Sequence, residues 1–389
     1  MKRRTPVVVV AYNRERSLKR LLKSLERADY PNVGVELLIS IDYATNNQHI
    51  LKIAEDFSWR QGKKTILYQK ENLGLRQHII KCGNLSLSYG SVIVLEDDLF
   101  VSPNFYNYAI SALEFSENLP EVGGISLYNH KLNVHTRDNF SSFDDGYDNW
   151  YFQFASSWGQ AWSKNQWEGF MKWYSEKPNI DNTEKVPAYV RSWSEKSWLK
   201  YNIAYLVENQ KYFLYPKISL STNFSDAGTH VGNDSTIYQV PLLGTTKKVY
   251  SFSKPEDSYS VYDVFYENKQ LHNILGFQNH EITIDLHGYQ HKITTRYLLS
   301  SKILDHHIIR SFAKSLKPID ANIIYGIDGN ELWLYDTRKP TKNRFKMDTI
   351  RAIVYNHKHI NPKDGFRIYL HFWNKRMKKV FSFFGLYKT

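Results

Sequence analysis

The first 130 residues alternate short apolar runs with stretches that carry leucine or isoleucine at helical spacing. The apolar runs span residues 6–10, 35–41, 65–68, 91–95 and 123–127. Continuous apolar runs of this length predict strands that are buried on both faces. The intervening segments 18–25, 75–89 and 102–118 predict helices. The alternation predicts an α/β fold, with a mainly parallel sheet flanked by helices.

Polar side chains follow three of these predicted strands. They are Asn13 and Arg14, then Asp42, then the acidic tripeptide Glu96-Asp97-Asp98. Ligands of such sheets bind at the carboxyl ends of the strands, so these side chains are expected at one edge. Adjacent carboxylates repel each other, which favours a bound cation at the acidic tripeptide over a solvated turn. Mn²⁺ or Mg²⁺ takes oxygen ligands and bridges diphosphates, and is the cofactor we expect.

Charge and cysteine content narrow the classes of partner. The net charge is +12, which suits nucleic acid, an anionic membrane face or phosphorylated small molecules. No zinc-finger spacing or RNP-type stretch is present, so nucleic acid is not expected as a partner. The single Cys82 excludes an internal disulfide. The apolar run after Pro6 is too short for a signal peptide or a membrane span, so a cytoplasmic location is expected.

The remaining chain is less regular. Residues 144–193 are rich in Trp and Tyr and are interpreted as loops that build an acceptor pocket, and 212–220 as a late strand. Farther on, 282–286 and 332–335 predict strands and 303–316 predicts a helix. We therefore expect a main domain over 1–244, with one half at about 1–130 that carries the candidate ligand site and an acceptor half at about 131–244. A smaller accessory region follows over 245–389.

The last residues, 365–389, combine aromatic and basic side chains, and no acidic residue follows Asp364. This composition is typical of a helix that lies on an anionic membrane leaflet, here the inner membrane face. A terminal helix docked on its own domain is the alternative.

Four segments together resemble a known family. They are 7–14 (VVVVAYNR), 40–42 (SID), 71–76 (ENLGLR) and 94–105 (VLEDDLFVSPNF). In order and spacing they resemble bacterial family 2-like glycosyltransferases of the GT-A fold. They are also similar to the α-1,3-mannosyl-glycoprotein β-1,2-N-acetylglucosaminyltransferase family, which has a Glu-Asp-Asp element. The resemblance covers roughly residues 5–235. It implies a hexosyl- or N-acetylhexosaminyl-transferase with a UDP-sugar donor and a glycan or lipid-linked glycan acceptor.

The resemblance also implies roles for individual residues. Those implied to bind the nucleotide-sugar are Ala11, Tyr12, Asn13, Arg14, Asp42, Arg76, His78, Glu96, Asp97, Trp158, Gly159, Gly228 and Thr229. Asp98 and His230 are implied to ligate the metal. Taken without the family, Arg14 is equally interpreted as a salt-bridging residue at a helix start. Asp42 alone is typical of a turn, and Trp158 and Trp162 of a buried aromatic turn.

Glu195 matches the family's catalytic carboxylate, although the family usually has Asp beside Trp. An inverting transfer needs one general base for the acceptor hydroxyl. Between Trp193 and Trp198, a carboxylate is expected to have its pKa raised by desolvation, which suits that role. An exposed helix glutamate is the alternative.

Two other functions are compatible with the same sheet. A sugar nucleotidyltransferase needs a Gly-rich loop after the first strand, and residues 11–17 contain no glycine. A non-catalytic carbohydrate- or nucleotide-binding protein would keep the fold without the base.

Overall fold

The structure is a computed structural model. It describes residues 5–31, 34–176, 180, 184–224, 226, 237–246, 249–290, 293–343, 354–357 and 359–383. Within helices and strands, side chains are described up to residue 377.

The N-terminal part has the predicted alternation. Its strands are β1 (Val7–Ala11), β2 (Leu37–Ile41), β3 (Lys64–Tyr68), β4 (Ser91–Glu96), β5 (Leu99–Val101) and β6 (Val122–Ser126). Its helices are α1 (Glu15–Glu26), α2 (Gln48–Asp56), α3 (Gly74–Gly83), α4 (Leu85–Tyr89) and α5 (Phe105–Phe115). The predicted helix over 75–89 is interrupted at Asn84, and α2 was not predicted. Helix α5 begins after a turn in which Phe105 N–H donates to Ser102 O, rather than at Pro103.

The aromatic segment after residue 144 is more regular than predicted. It contributes β7 (Asn149–Phe152), β8 (Gln160–Ser163), α6 (Lys164–Ser175) and α7 (Ala188–Arg191). Then follow α8 (Trp198–Glu208), β9 (Tyr212–Pro216), β10 (Ser221–Asn223) and β11 (Val261–Tyr262). The interpretation of 144–193 as loops is wrong at β7 and β8. Both strands are buried along their whole length, and Trp150 and Trp162 fill the core beside them.

One nine-stranded sheet organises this part, in the order β11-β7-β9-β6-β8-β4-β1-β2-β3. Strands β3, β2, β1 and β4 run parallel, as predicted, whereas β8 is antiparallel to both β4 and β6. Since β11 pairs with β7, the sheet extends past residue 244. Strands β5 and β10 form a separate antiparallel pair next to the end of β4.

The C-terminal region has its own small sheet. Its elements are α9 (Leu271–Ile274), β12 (Ile282–Asp285), β13 (Tyr297–Ser300), β14 (His306–Phe312), α10 (Ala321–Ile324) and β15 (Leu332–Pro340), with sheet order β12-β13-β15-β14. The predicted strands near 282 and 332 are confirmed. The predicted helix over 303–316 is wrong, because 306–312 pair with β15 as an antiparallel edge strand. The pairing supplies backbone hydrogen bonds that a periodicity argument cannot anticipate.

The chain closes with α11 (Pro362–Phe383). Among the described residues, no helix combines the length and the hydropathy needed to cross a bilayer.

Candidate functional site: an acidic turn at the end of strand β4

The acidic tripeptide lies where β4 leaves the sheet. Residues 97 and 98 form the turn between β4 and β5, and Asp97 is 3% exposed. The apolar residues 92–95 before the turn are fully buried, which fixes its position at the edge of the sheet. Phe224 N–H donates to Asp98 O, so the chain after β10 begins directly beside the turn.

Arg14 lies on this turn. Its Nη1 donates to Asp98 Oδ2 at 2.9 Å, and its Nη2 also contacts Asp97 Oδ1. Burial alone would lower the pKa of the guanidinium, but Asp97 and Asp98 outweigh burial and raise it. The structure therefore brings two strand ends together as predicted, with Arg14 as a counter-ion to the acidic tripeptide.

The carboxylates are only partly neutralised by this contact. Burial, followed by the charge of Asp98, raises the pKa of Glu96 to about 8. Burial also raises the pKa of Asp97 to about 6, although Arg14 opposes the rise. Within the described residues, Glu96 Oε1 and Asp98 Oδ1 are buried and accept no hydrogen bond. Buried polar atoms normally have partners, and a hard divalent cation is one that suits carboxylate oxygens.

The described residues contain no group of three His, Cys, Asp or Glu side chains arranged around a cation. The two unpartnered oxygens nevertheless fit a cation that takes its other ligands from elsewhere. Gly228, Thr229 and His230 lie outside the described residues, so the predicted metal contact of His230 stays a prediction.

The end of β1 faces the end of β2. Ala11 O accepts from Asp42 N–H, and Asn47 donates its side-chain amide to the carbonyls of Tyr12 and Asp42. Asn13 is exposed beside them. These contacts hold the two strand ends in register at the sheet edge.

Asp42 is buried and has a structural task. Its Oδ1 accepts from Leu73 N–H at 2.8 Å and its Oδ2 from Gly74 N–H at 3.0 Å. Gly74 has φ +70°, a conformation that glycine adopts without strain. Asp42 therefore anchors the start of α3 at the edge of the site, and its contact with a base stays a prediction.

Two predicted residues on α3 point in different directions. Arg76 lies over the Tyr201 ring, with its guanidinium carbon 5.2 Å from the ring centre. His78 is buried and its Nε2 shares a hydrogen bond with Ser40 Oγ at 2.7 Å. Burial lowers the pKa of His78 to about 4, so it is neutral. The structure places Arg76 beside the Glu195 region and His78 in the interior.

Trp158 and Gly159 border an aromatic cavity. Trp158 packs edge-on against Tyr128, with ring centres 4.6 Å apart, and against Tyr238 at 4.8 Å. Gly159 has φ +93° and lies close to Ser221, and Ser221 Oγ donates to Trp158 O. Trp162, in contrast, is fully buried against Trp167 in the core.

The cavity contains residues that the sequence did not single out. It is lined by His130, Val134, Phe154, Ala155, Ser156, Ser157, Trp158, Tyr189, Trp193, Leu199 and Tyr238. His130 is buried among aromatic rings, its Nε2 has no partner within the described part of the chain, and burial lowers its pKa to about 3. The aromatic richness of 144–193 was the available signal, but it could not show which rings face a cavity.

Glu195 does not have the environment expected of it. Its side chain is 63% exposed, and it accepts hydrogen bonds from Lys200 and Tyr201. These hydrogen bonds lower its pKa, so the expected rise by desolvation is wrong. The neighbouring tryptophans lie elsewhere: Trp198 is buried in the core and Trp193 lines the aromatic cavity.

Asp226 lies shortly before Gly228, Thr229 and His230 in the chain, and the structure describes it. Its carboxylate binds Arg20, and it accepts from Ser17 Oγ at 2.6 Å. Burial would raise its pKa, but the hydrogen bonds from Arg20 and Ser17 hold it below its usual value. The contact ties Asp226 to the first two turns of α1, next to Arg14.

Residues 7–166 match the family model described as Glycosyl transferase family 2. The match covers less than half of the chain. The matched segment contains Arg14, Asp42, the acidic tripeptide, Trp158 and Gly159, whereas Glu195 and Asp226 lie beyond it. With its mixed, mostly parallel sheet, the protein has the predicted GT-A fold.

Several solved structures have some likeness to this chain, among them the following three. One is S. aureus TarS, at 17% identity over 55% of this chain and 37% of that one, with a TM-score of 0.32. Another is the mannosyltransferase PcManGT from Pyrobaculum calidifontis with GDP-Man and Mn²⁺. Its sequence identity is 14% over 55% of this chain and 57% of that one, with a TM-score of 0.33. A third is GalNAc-T7 with UDP, GalNAc and Mn²⁺. Its sequence identity is 10% over 55% of this chain and 42% of that one, with a TM-score of 0.37. The chain thus spans less than two thirds of each. A comparison with curated proteins found no match.

Proposed function

We propose that this protein transfers a hexosyl or N-acetylhexosaminyl group from a nucleotide-diphosphate donor, most simply a UDP-sugar, to a glycan or lipid-linked glycan. The observation that carries the proposal is the acidic tripeptide at the end of β4, with two buried carboxylate oxygens that have no partner among the residues that the structure describes. It lies inside the segment that matches the family 2 model, at the strand ends where ligands of such sheets bind.

Asp98 would hold Mn²⁺ or Mg²⁺, together with donor oxygens and His230. A divalent cation at this place offsets the negative charge that develops on the departing diphosphate. Arg14 and Asp42 would position the nucleoside beside Ala11, Tyr12 and Asn13. Glu96 and Asp97 would orient the ribose and the donor sugar from the same turn.

The transfer would proceed with inversion. The acceptor hydroxyl attacks the anomeric carbon, the bond from that carbon to the diphosphate breaks, and Glu195 takes the hydroxyl proton. For this step Glu195 must exchange the hydrogen bond from Lys200 or Tyr201 for one from the acceptor. The donor sugar would lie against Trp158 and Gly159, and the acceptor sugar would occupy the aromatic cavity towards Trp193, since flat aromatic faces suit sugar rings.

A non-catalytic nucleotide- or carbohydrate-binding protein is the second candidate. Its support is Glu195 itself, which is exposed, paired with Lys200 and lowered in pKa, and is therefore a weak base. A sugar nucleotidyltransferase is less favoured, because residues 11–17 contain no glycine for a triphosphate loop. We also propose that the protein is cytoplasmic and contacts an anionic membrane face peripherally. Its relation to the N-acetylglucosaminyltransferase family is part of the same proposal.

A donor screen tests the proposal. Release of nucleotide is measured across UDP- and GDP-sugars with Mn²⁺, for the wild type, Asp98→Ala and Asp56→Ala, an exposed control on α2. We expect release from one donor class, lost by at least about a hundredfold in Asp98→Ala only. Undiminished release of nucleotide by Asp98→Ala would contradict the proposal that Asp98 ligates the metal. Metal-dependent UDP binding without turnover of any donor would favour the binding protein.

A further inference from the structure

Helix α11 exposes a large apolar surface. From Pro362 to Arg376 every residue except Gly365 is exposed. The six large hydrophobic side chains in this stretch are 40–62% exposed: Phe366, Ile368, Tyr369, Leu370, Phe372 and Trp373. The terminal helix is therefore not docked on its own domain within the described chain, and the alternative left open by the sequence is contradicted. Exposed apolar surface on this scale marks a binding surface.

The apolar side chains form one stripe along the helix. Phe366, Tyr369, Leu370, Trp373 and Met377 follow the i, i+3, i+4, i+7, i+11 spacing of one face. By the same spacing Val380 and Phe381 continue it in sequence. Successive side chains turn by about 100°, so this stripe spans most of the length of the helix. At the same rotation per residue Phe372 lies on one flank of the stripe, whereas Ile368 falls on the opposite side of the helix, next to Lys375.

The opposite side of the helix is basic. At about 100° per residue, Arg367, His371, Asn374, Lys375 and Lys378 fall on the side away from the stripe. Over 362–383 the sequence has six basic residues (Lys363, Arg367, Lys375, Arg376, Lys378 and Lys379) and one acidic residue, Asp364. Asp364 is already paired with Arg367 at 3.1 Å.

An apolar stripe bordered by cations fits one kind of surface. We propose that α11 lies in the plane of an anionic membrane leaflet, with Phe366, Leu370 and Trp373 inserted among the acyl chains and the basic residues on lipid phosphates. Such helices bind through buried apolar area plus attraction to anionic lipids. A second copy of the chain would meet the same excess of positive charge on its own α11, which opposes pairing of two such helices.

This inference deepens the proposed function, and rests on it for the purpose of the contact. A membrane-bound enzyme meets a lipid-linked acceptor at the surface where that acceptor is held. Membrane binding depends only on α11. A protein that does not bind membranes can therefore still transfer sugar, and a protein that binds membranes can lack transfer activity.

Co-sedimentation with vesicles tests the proposal on the full chain. We expect binding to vesicles of phosphatidylcholine with about 30% phosphatidylglycerol, and at least about tenfold weaker binding to pure phosphatidylcholine. The double variant Phe366→Ser/Trp373→Ser and the charge variant Lys375→Glu/Arg376→Glu should each weaken binding at least about tenfold. Tyr325→Ser, which alters an aromatic ring 63% exposed elsewhere on the surface, should leave it unchanged.

Other results overturn the inference. Equal binding of wild type and both double variants, or binding that ignores lipid charge, would contradict it. So would a concentration-dependent dimer in sedimentation velocity that Phe366→Ser/Trp373→Ser abolishes, without vesicle binding by the wild type. Binding of UDP with Mn²⁺ is measured on every variant, because a loss there would indicate damage to the sheet edge instead of α11.

Discussion

Arg14 Nη1 lies 2.9 Å from Asp98 Oδ2, and the same guanidinium also contacts Asp97. Three carboxylates at the end of a buried strand need positive charge nearby, and in this structure an arginine from the neighbouring strand end supplies it. The guanidinium at Asp98 Oδ2 and a divalent cation at Asp98 Oδ1 would compete for the charge of one carboxylate.

Replacing Arg14 by Gln should change metal and nucleotide binding in opposite directions. Without the guanidinium, Mn²⁺ in the absence of nucleotide should bind about tenfold more tightly, since the carboxylates lose their competitor. UDP should bind more weakly in the same variant. Isothermal titration measures both, and Arg16→Gln, an exposed neighbour on α1, is the control. Weaker Mn²⁺ binding in Arg14→Gln would contradict the competition.

Asp263 makes stability depend on pH. Burial raises its pKa to about 6, above the usual value near 3.8. A carboxyl whose pKa is higher in the folded state adds stability that is complete below pH 3.8 and is lost as pH rises through about 6. Wild type should therefore lose about 1–3 kcal/mol of unfolding free energy from this group between pH 4 and 7.

Asp263→Asn isolates the charge. Oδ1 of Asp263 accepts from the N–H groups of Phe265 and Glu267, and asparagine keeps this carbonyl acceptor. Urea unfolding at several pH values should show a smaller loss between pH 4 and 7 in the variant and higher stability at pH 7. The same slope in both proteins would assign the dependence to other buried acids, such as Glu267.

The strands of the first half were predictable because burial on both faces leaves an unbroken apolar run, as at Val7–Val10. Strand β14 was predicted as a helix because an edge strand with alternating exposure has no such run, and its pairing with β15, which begins at Leu332, is not visible in the local pattern. The local sequence pattern predicts a helix or strand only where pairing with another segment does not determine the secondary structure.

The candidate site likewise has features that the sequence predicts and features that it does not. Rules about strand ends brought Arg14 and the acidic tripeptide together correctly, because they depend on topology. Side-chain surroundings were not accessible in that way: Glu195 is solvated and hydrogen-bonded to Lys200, although two tryptophans stand close by in sequence. His130 was missed because only the fold places its ring beside Trp158, with centres 5.8 Å apart.

Glu195→Gln tests the proposed base. If Glu195 accepts the acceptor proton, kcat should fall by about 10²–10⁴ while the KM of the donor stays near that of the wild type. Because the hydrogen bonds from Lys200 and Tyr201 lower the pKa of Glu195, this residue itself should add no acid limb to kcat in the neutral range. Glu168→Gln, on exposed α6, should have no effect. An unchanged kcat in Glu195→Gln would reject the assignment.

Gly159→Ala tests whether the aromatic cavity must fit closely against the β5–β10 pair. Gly159 has φ +93°, and a Cβ there would lie 3.0 Å from Ser221 Oγ and 3.3 Å from Leu127 Cβ. Backbone strain alone should cost about 1–2 kcal/mol, and thermal unfolding should shift down by a few degrees. The crowding should also displace Ser221, which holds Trp158 O, and raise the KM of the donor.

Gly146→Ala separates strain from crowding. Gly146 has φ +85°, but a Cβ there would meet nothing within 4 Å. It should therefore lower the unfolding temperature to a similar degree and leave the KM of the donor unchanged. If both variants raise KM equally, the effect comes from general destabilisation. If Gly159→Ala alone raises it, the contact between Gly159 and Ser221 shapes the place where the donor sugar binds, since β10 pairs with the strand that leaves the acidic turn.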